Sequence, residues 1–396
     1  MTLILYSQNK MNKKTLIFVL LFLINFAVNL AQDKDSTKSI ESTETCNHSS
    51  FDITVNNFGI SFGNSQNING LRINVADCEI EKINGINLTL WSPKNFSGST
   101  INGLTFGLSP AAGTINGISL GLVATITDES FNGVGINGIA SISQGDSRGV
   151  QIAGLALVGN NNMNGINFGG LAVVASKGSL TGLNLGGLAL VANGGLTGIN
   201  FGGLAVVASK GSIAGINFGS LALVSESGTS GINFSGLALV TSKGAISGIN
   251  LSGLAMVSGS EIKGINIAGL AVVSKEDLFG INLASIALVS AQSIRGLNFS
   301  LGEIRSSNSI NGINFTGYKV SAQELVGINV SAIMTLAKEL RGISVSAYNK
   351  FEEQHGIAIG LFNVADELHG VQLGILNIAK NNSPWFRVLP VINVNP

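Results

Sequence analysis

From Gly165 to Gly312 apolar and polar positions recur every 16 or 17 residues, and from there to Gly370 every 14 or 15. The chain reads GINFGGLAVVASKGSLT from Gly165, GLNLGGLALVANGGLT from Gly182 and GINFGGLAVVASKGSIA from Gly198. The unit restarts at Gly215, Gly231, Gly248, Gly264, Gly280, Gly296, Gly312, Gly327, Gly342, Gly356 and Gly370. Looser copies begin at Gly59, Gly70, Gly85, Gly103, Gly117, Gly135 and Gly149, giving about 21 units of 14–18 residues. Self-similarity of this kind means stacked or laterally paired units, not independent domains. Each unit is one glycine-led apolar segment followed by a small-polar turn. A helix is excluded, because glycine recurs at the unit start and again mid-unit, at about 1 kcal/mol each relative to alanine. Ile, Val and Phe fill the remaining positions, as strands prefer. Ser176-Lys177-Gly178 and Asn193-Gly194-Gly195 read as glycine turns of the hairpin type. No proline lies between Pro110 and Pro384, which fits strands with ladder partners on both sides. The predicted class is all-β.

Two all-β architectures compete: an outer-membrane-type antiparallel β-barrel with one strand and one turn per unit, and a β-solenoid with one coil per unit. The barrel is favoured on three grounds. Between Gly149 and Gly302 every charged residue lies in a turn portion, leaving an uncharged wall suited to lipid. About twelve strand residues, tilted near 40°, cover roughly 30 Å, enough for an outer-membrane apolar band. Unit lengths from Gly165 to Gly264 alternate 17 and 16, natural for duplicated hairpins with different turns on the two rims. On this reading successive lead asparagines, such as Asn200 and Asn217, sit on opposite rims. Against the barrel, both strand faces are apolar: Ile166, Phe168, Ala172 and Val174 on one, Asn167, Leu171 and Val173 on the other. One Asn per strand is little polarity for a lumen. In a solenoid the asparagines from Asn167 to Asn329 would instead stack as a ladder.

The predicted organisation is a signal peptide at 1–31, with Met11 as a possible true start, then a polar spacer at 32–50. Degenerate β-repeats follow at 51–164, regular β-repeats at 165–380, and a C-terminal strand or cap at 381–396. Lys13 and Lys14 precede the apolar run Leu16 to Leu30, and Ala31-Gln32 is a plausible cleavage point. The chain therefore reads as exported, at the outer membrane or cell surface of a Gram-negative-type bacterium, with outer-membrane lipid as the expected partner. The 396 residues include 22 basic and 22 acidic side chains and 52 glycines. The absence of a basic run excludes a nucleic-acid partner held through phosphates. The low charge and high apolar content exclude a disordered chain. Cys46 and Cys78 could pair in an oxidising compartment, but one of them lies in the spacer, and the preferred reading is two unpaired or dispensable thiols.

The units GVQIAGLALV from Gly149, GIAIGLFNVADELH from Gly356 and GVQLGILNIAK from Gly370 resemble the glycine-led surface-repeat family of Leptospira and Bacteroidetes. The resemblance covers about 80% of the chain. It implies an exported outer-membrane or cell-surface protein and supplies no catalytic residues. Here Asn stands where the family's unit commonly has Gln, and Ala-Val where it often has Val-Asn, making the faces more apolar.

Candidate chemistry is sparse. Gly133-Val-Gly135-Ile-Asn-Gly138 matches a dinucleotide fingerprint by letter, but a strand-like Ile139-Ala-Ser-Ile-Ser follows where the fingerprint needs a helix. Histidine occurs only at His48, His355 and His369. The last two close successive units, as Glu352-Glu353-Gln354-His355 and Asp366-Glu367-Leu368-His369. Imidazole with carboxylate suits a divalent metal, yet in a barrel these turns fall on opposite rims. No metal site, no cofactor and no catalytic residue is therefore expected. No serine or cysteine recurs beside the histidines as a nucleophile, and the expected role is non-enzymatic, structural or pore-like, with a surface adhesin or scaffold as the alternative. Trp91 and Trp385-Phe386 read equally as interfacial aromatics and as cap packing.

Overall fold

The computed structural model of the chain describes residues 49–91 and 96–396. The leader, the spacer up to residue 48, Cys46 and His48 lie outside the described residues. Among the described residues there are 34 strands and one short 3-10 turn, Pro384–Phe386, and no α-helix. The units pair in parallel and in register, so each repeat is one coil of a β-solenoid. The antiparallel barrel is overturned. In the unit of Gly165 a lead strand, Met163–Gly169, turns at Gly170-Leu171 into a return strand, Ala172–Ala175. The lead strand pairs in parallel with Leu180–Gly186, setting Gly165 opposite Gly182 and Asn167 opposite Asn184. The return strand pairs with Ala189–Ala192. Asn200 and Asn217 are register partners, not residues of opposite rims.

The alternating unit length has a local cause. Four residues, 176–179, join Ala175 to Leu180, whereas three, 193–195, join Ala192 to Leu196. The extra residue is absorbed in a loop on the polar edge while both strands keep register. Duplicated hairpins are not needed.

The lead glycines are what the stack cannot replace. Twenty-four glycines have positive φ, and all but Gly63, Gly98 and Gly228 are lead glycines, leaving 21 from Gly59 to Gly370. One unit start is corrected: Gly133, not Gly135, is in register with Gly117 and Gly149, and Gly135 takes the interior position opposite Ser119. From Gly70 onward a Cβ at any of them would lie 1.9–2.4 Å from the carbonyl oxygen of the preceding lead glycine. The backbone conformation and the spacing each demand the absence of a side chain.

Inside the coil, two aliphatic columns pack together: Leu180, Leu196 and Ile213 from the lead strands, and Leu190, Val206 and Leu223 from the return strands. Between Asn167 and Asn329 every unit buries its asparagine beside them. Each Nδ2 donates to the Oδ1 of the next, at 2.7–2.8 Å, through ten bonds that all run one way. This column explains why both faces of the strand look apolar. One face lines the core, and its single polar side chain is satisfied by its own copies. The chain of amides leaves one acceptor, Asn167 Oδ1, and one donor, Asn329 Nδ2, without a partner at its ends.

Toward the N-terminus the same interior column becomes Arg72, Asn87, Thr105 and Ser119. Arg72 is fully buried. It makes an ion pair with Asp77 and donates to Asn87 at 3.0 Å and Asn64 at 2.8 Å. Both ends of the stack are closed by antiparallel strands. Ser50–Val55 turns at Asn56-Asn57, both with positive φ, onto Phe58–Gly63, as a two-residue hairpin requires. Val388–Asn395 lies antiparallel on the last rung, within Tyr348–Ala379, and carries Pro390, a residue suited to an edge.

Candidate functional site

The outward positions of the coil form the largest chemical feature. Strand alternation sends Ile166 and Phe168 outward while Asn167 and Gly169 turn in. The Gly170-Leu171 corner breaks the alternation, so Leu171 also faces out. It does not share a face with Asn167 and Val173 as the alternation alone predicts. Parallel in-register pairing repeats each outward side chain one rung on. Ile199, Ile216 and Ile232 form one column, Phe201, Phe218 and Phe234 a second, and Leu204, Leu221 and Leu237 a third. All but the half-buried Phe218 are between 41% and 50% exposed. The Phe201, Phe218 and Phe234 rings stack nearly parallel with centroids 5.0 Å apart. At about 4.8 Å per rung and 3.3 Å per residue, the three columns over the units Gly165 to Gly312 cover roughly 800 Å². A soluble monomer's largest apolar patch is about 300–600 Å². Beyond the corner, outward Ala172 and Val174 continue the apolar surface onto the return strands. On that side it ends at Glu303, Arg305 and Lys319, where Glu303 Oε1 lies 4.0 Å from Arg305 Nε and 3.9 Å from Lys319 Nζ.

The loops on the opposite edge are polar. Lys177, Lys210 and Lys243 project from them into solvent. Lys263, paired with Glu261 at 2.5 Å, and Arg295 lie at the start of lead strands, Ile262–Ala268 and Ser293–Ser300, not in the turns where the sequence placed them. In the last units this edge gathers titratable groups into two columns. Glu324, Glu339 and Glu353 are register partners, as are Arg341 and His355. The His355 and His369 rings stack with centroids 4.9 Å apart and planes 10° apart. His355 Nε2 lies 4.0 Å from Glu339 Oε1 and 3.9 Å from Glu353 Oε2. The Arg341 guanidinium, hydrogen-bonded to Glu339, is held above its ordinary value by that bond and by the Glu339 charge. The two turns that a barrel would separate therefore share one edge, and the geometric ground for excluding a common ion disappears. Asp366 instead pairs with Lys380 at 2.6 Å. Sequence reasoning did not single out Glu339 or Arg341. The signal was available, since each stands fourteen residues before Glu353 and His355.

The other motifs yield little chemistry. Gly133, Gly135 and the strand they belong to, Ala124–Asn137, enter the parallel ladder with no helix after them. A shallow groove of about 230 Å³ beside Ile73, Leu88, Leu90, Phe106 and Leu122 has no titratable side chain in its lining. Trp91 ends its strand exposed, and Trp385 and Phe386 are exposed in the turn before the C-terminal strand. Cys78 is disulfide-bonded, against the expectation of a free or dispensable thiol. Comparison with family models, with curated proteins and with solved structures finds no match to this chain.

Proposed function

We propose that the protein is an exported, non-enzymatic surface β-solenoid that acts as an adhesin or scaffold, with its outward apolar ladders as the contact surface. The observation that carries this reading is the continuous Ile, Phe and Leu columns, an uncovered surface larger than a soluble monomer ordinarily keeps. A stack of identical rungs suits an extended partner, because every rung offers the same contact and binding strength accumulates along the axis. Export rests on the basic and apolar leader pattern and on the resemblance to surface-repeat proteins. The parallel solenoid favours adhesion or scaffolding over a pore, since its interior is filled by side chains.

Replacing Ile199, Phe201, Ile216 and Phe218 together by Thr tests the contact surface without touching the core. The variant is expected to keep its β spectrum and to lose at least tenfold in retention on apolar beads or lipid vesicles. Unchanged retention would remove the ladders from the function. Protease shaving of intact cells tests surface exposure. A carbonate wash then separates a peripheral solenoid, which is released, from an integral barrel, which stays.

A further inference from the structure

We propose that Glu339, Glu353, His355 and His369 form a binding site for one divalent transition-metal ion on the polar edge of the solenoid. Two of the chain's three histidines meet here, on consecutive rungs, with their rings stacked at 4.9 Å. Two carboxylates flank His355, and the ligand atoms of Glu339, Glu353 and His355 lie within 4.8 Å of one another. Imidazole with carboxylate is the donor set that zinc, nickel and copper take. At zinc–nitrogen and zinc–oxygen distances of about 2.0–2.2 Å, ligand atoms around one tetrahedral ion lie roughly 3.2–3.5 Å apart. The present separations close to that by rotating side chains that are themselves in solvent, while the backbone ladder stays in register. His355 is 45% exposed and Glu353 54%, so an ion has open access.

Arg341 is the internal competitor, because it holds Glu339 by a hydrogen bond. It has a second acceptor in reach: Glu324 Oε1 lies 3.8 Å from its Nε. Ligation through Glu339 therefore passes the guanidinium to Glu324 and leaves no stranded charge. Carboxylates elsewhere on the edge have other partners and no imidazole: Glu226 pairs with Lys243, Glu276 accepts from Ser260 Oγ and Asp277 from the Ser293 N–H. This site stands independently of the adhesin reading.

Calorimetric titration of the full folded chain with zinc or nickel tests it. One ion per chain is expected, with affinity falling at least tenfold in His355→Ala and again in His369→Ala, and unchanged in His48→Ala. Binding also weakens at acid pH, because protons compete for the imidazole nitrogens. A measurement without variants is the rate at which diethyl pyrocarbonate modifies His355 and His369, read by peptide mass. Zinc is expected to slow both. Absence of binding heat, affinity that survives either substitution, or modification rates indifferent to zinc would overturn the site.

Discussion

Gly198 and Gly203 are five residues apart and carry different constraints. Gly198 has φ +112°, and a Cβ there would meet the Gly182 carbonyl oxygen at 2.2 Å. A Cβ on Gly203 would meet the Gly187 oxygen at 1.8 Å, yet at the same offset in other units the chain places Ser220 and Ser285. The corner can shift to admit a small side chain because a two-residue turn has slack. The lead position cannot, because its neighbours on both sides are also lead glycines in register. Gly198→Ala is expected to cost about 3 kcal/mol or more, combining positive-φ strain with the backbone clash. Gly203→Ser is expected to stay within about 1 kcal/mol. Thermal melts of the two variants check the order, and equal stability would contradict the ladder geometry. The buried asparagines belong to the same scale. Deleting one amide leaves a donor on one rung and an acceptor on another without partners, at about 1–3 kcal/mol each.

At the scale of the element, the solenoid turns on strand direction. Consecutive lead strands run the same way and repeat their side chains at one rung's distance, so Ile199 and Ile216 face out side by side. Their Cα atoms are about 4.8 Å apart by the ladder spacing, within the range a disulfide spans. An Ile199→Cys/Ile216→Cys double variant is expected to cross-link efficiently under mild oxidation, read by peptide mass before and after reduction. Failure to cross-link would return the argument to antiparallel strands. The loops are the variable part of the element. A residue gained or lost between Ala175 and Leu180, or between Ala192 and Leu196, changes the polar edge without disturbing either ladder.

For the whole molecule the critical places are the ends. A parallel stack leaves one open row of backbone donors and acceptors at each terminus, and an open row templates pairing with another chain. The antiparallel strand Val388–Asn395 covers the last rung, and its Asn393 turns inward and is buried, register-paired with Gln372. Val391 within it has φ +68°, a strained conformation for a β-branched residue. It sits where the register shifts between Gly374 and Asn377. Truncation after residue 380 is expected to leave the interior coils folded, because stability in such arrays is summed over neighbours. It is expected to produce end-to-end oligomers, seen by sedimentation. A truncated chain that stays monomeric would show that the cap does not protect the edge.

The all-β class, the repeat, its period and all the lead glycines but one, Gly133, were legible in the chain itself. They depend on local properties: glycine's exclusion from helices, the preference of Ile, Val and Phe for strands, and the recurrence of turn residues. The pairing partner of each strand was not legible, because an apolar segment of seven residues satisfies a parallel or an antiparallel neighbour equally well. The uncharged wall therefore read as lipid-facing, although half of it lines a packed interior. Asn167 to Asn329 read as too little polarity for a lumen, and only stacking shows that each amide satisfies the next. Leu171 was assigned to the wrong face because the corner at Gly170-Leu171 resets an alternation that sequence reading carried straight through. The meeting of His355 with His369, Glu339 and Glu353 was likewise decided by tertiary structure. Residues fourteen apart come together only when each unit closes a full coil and brings the chain back one rung along the axis.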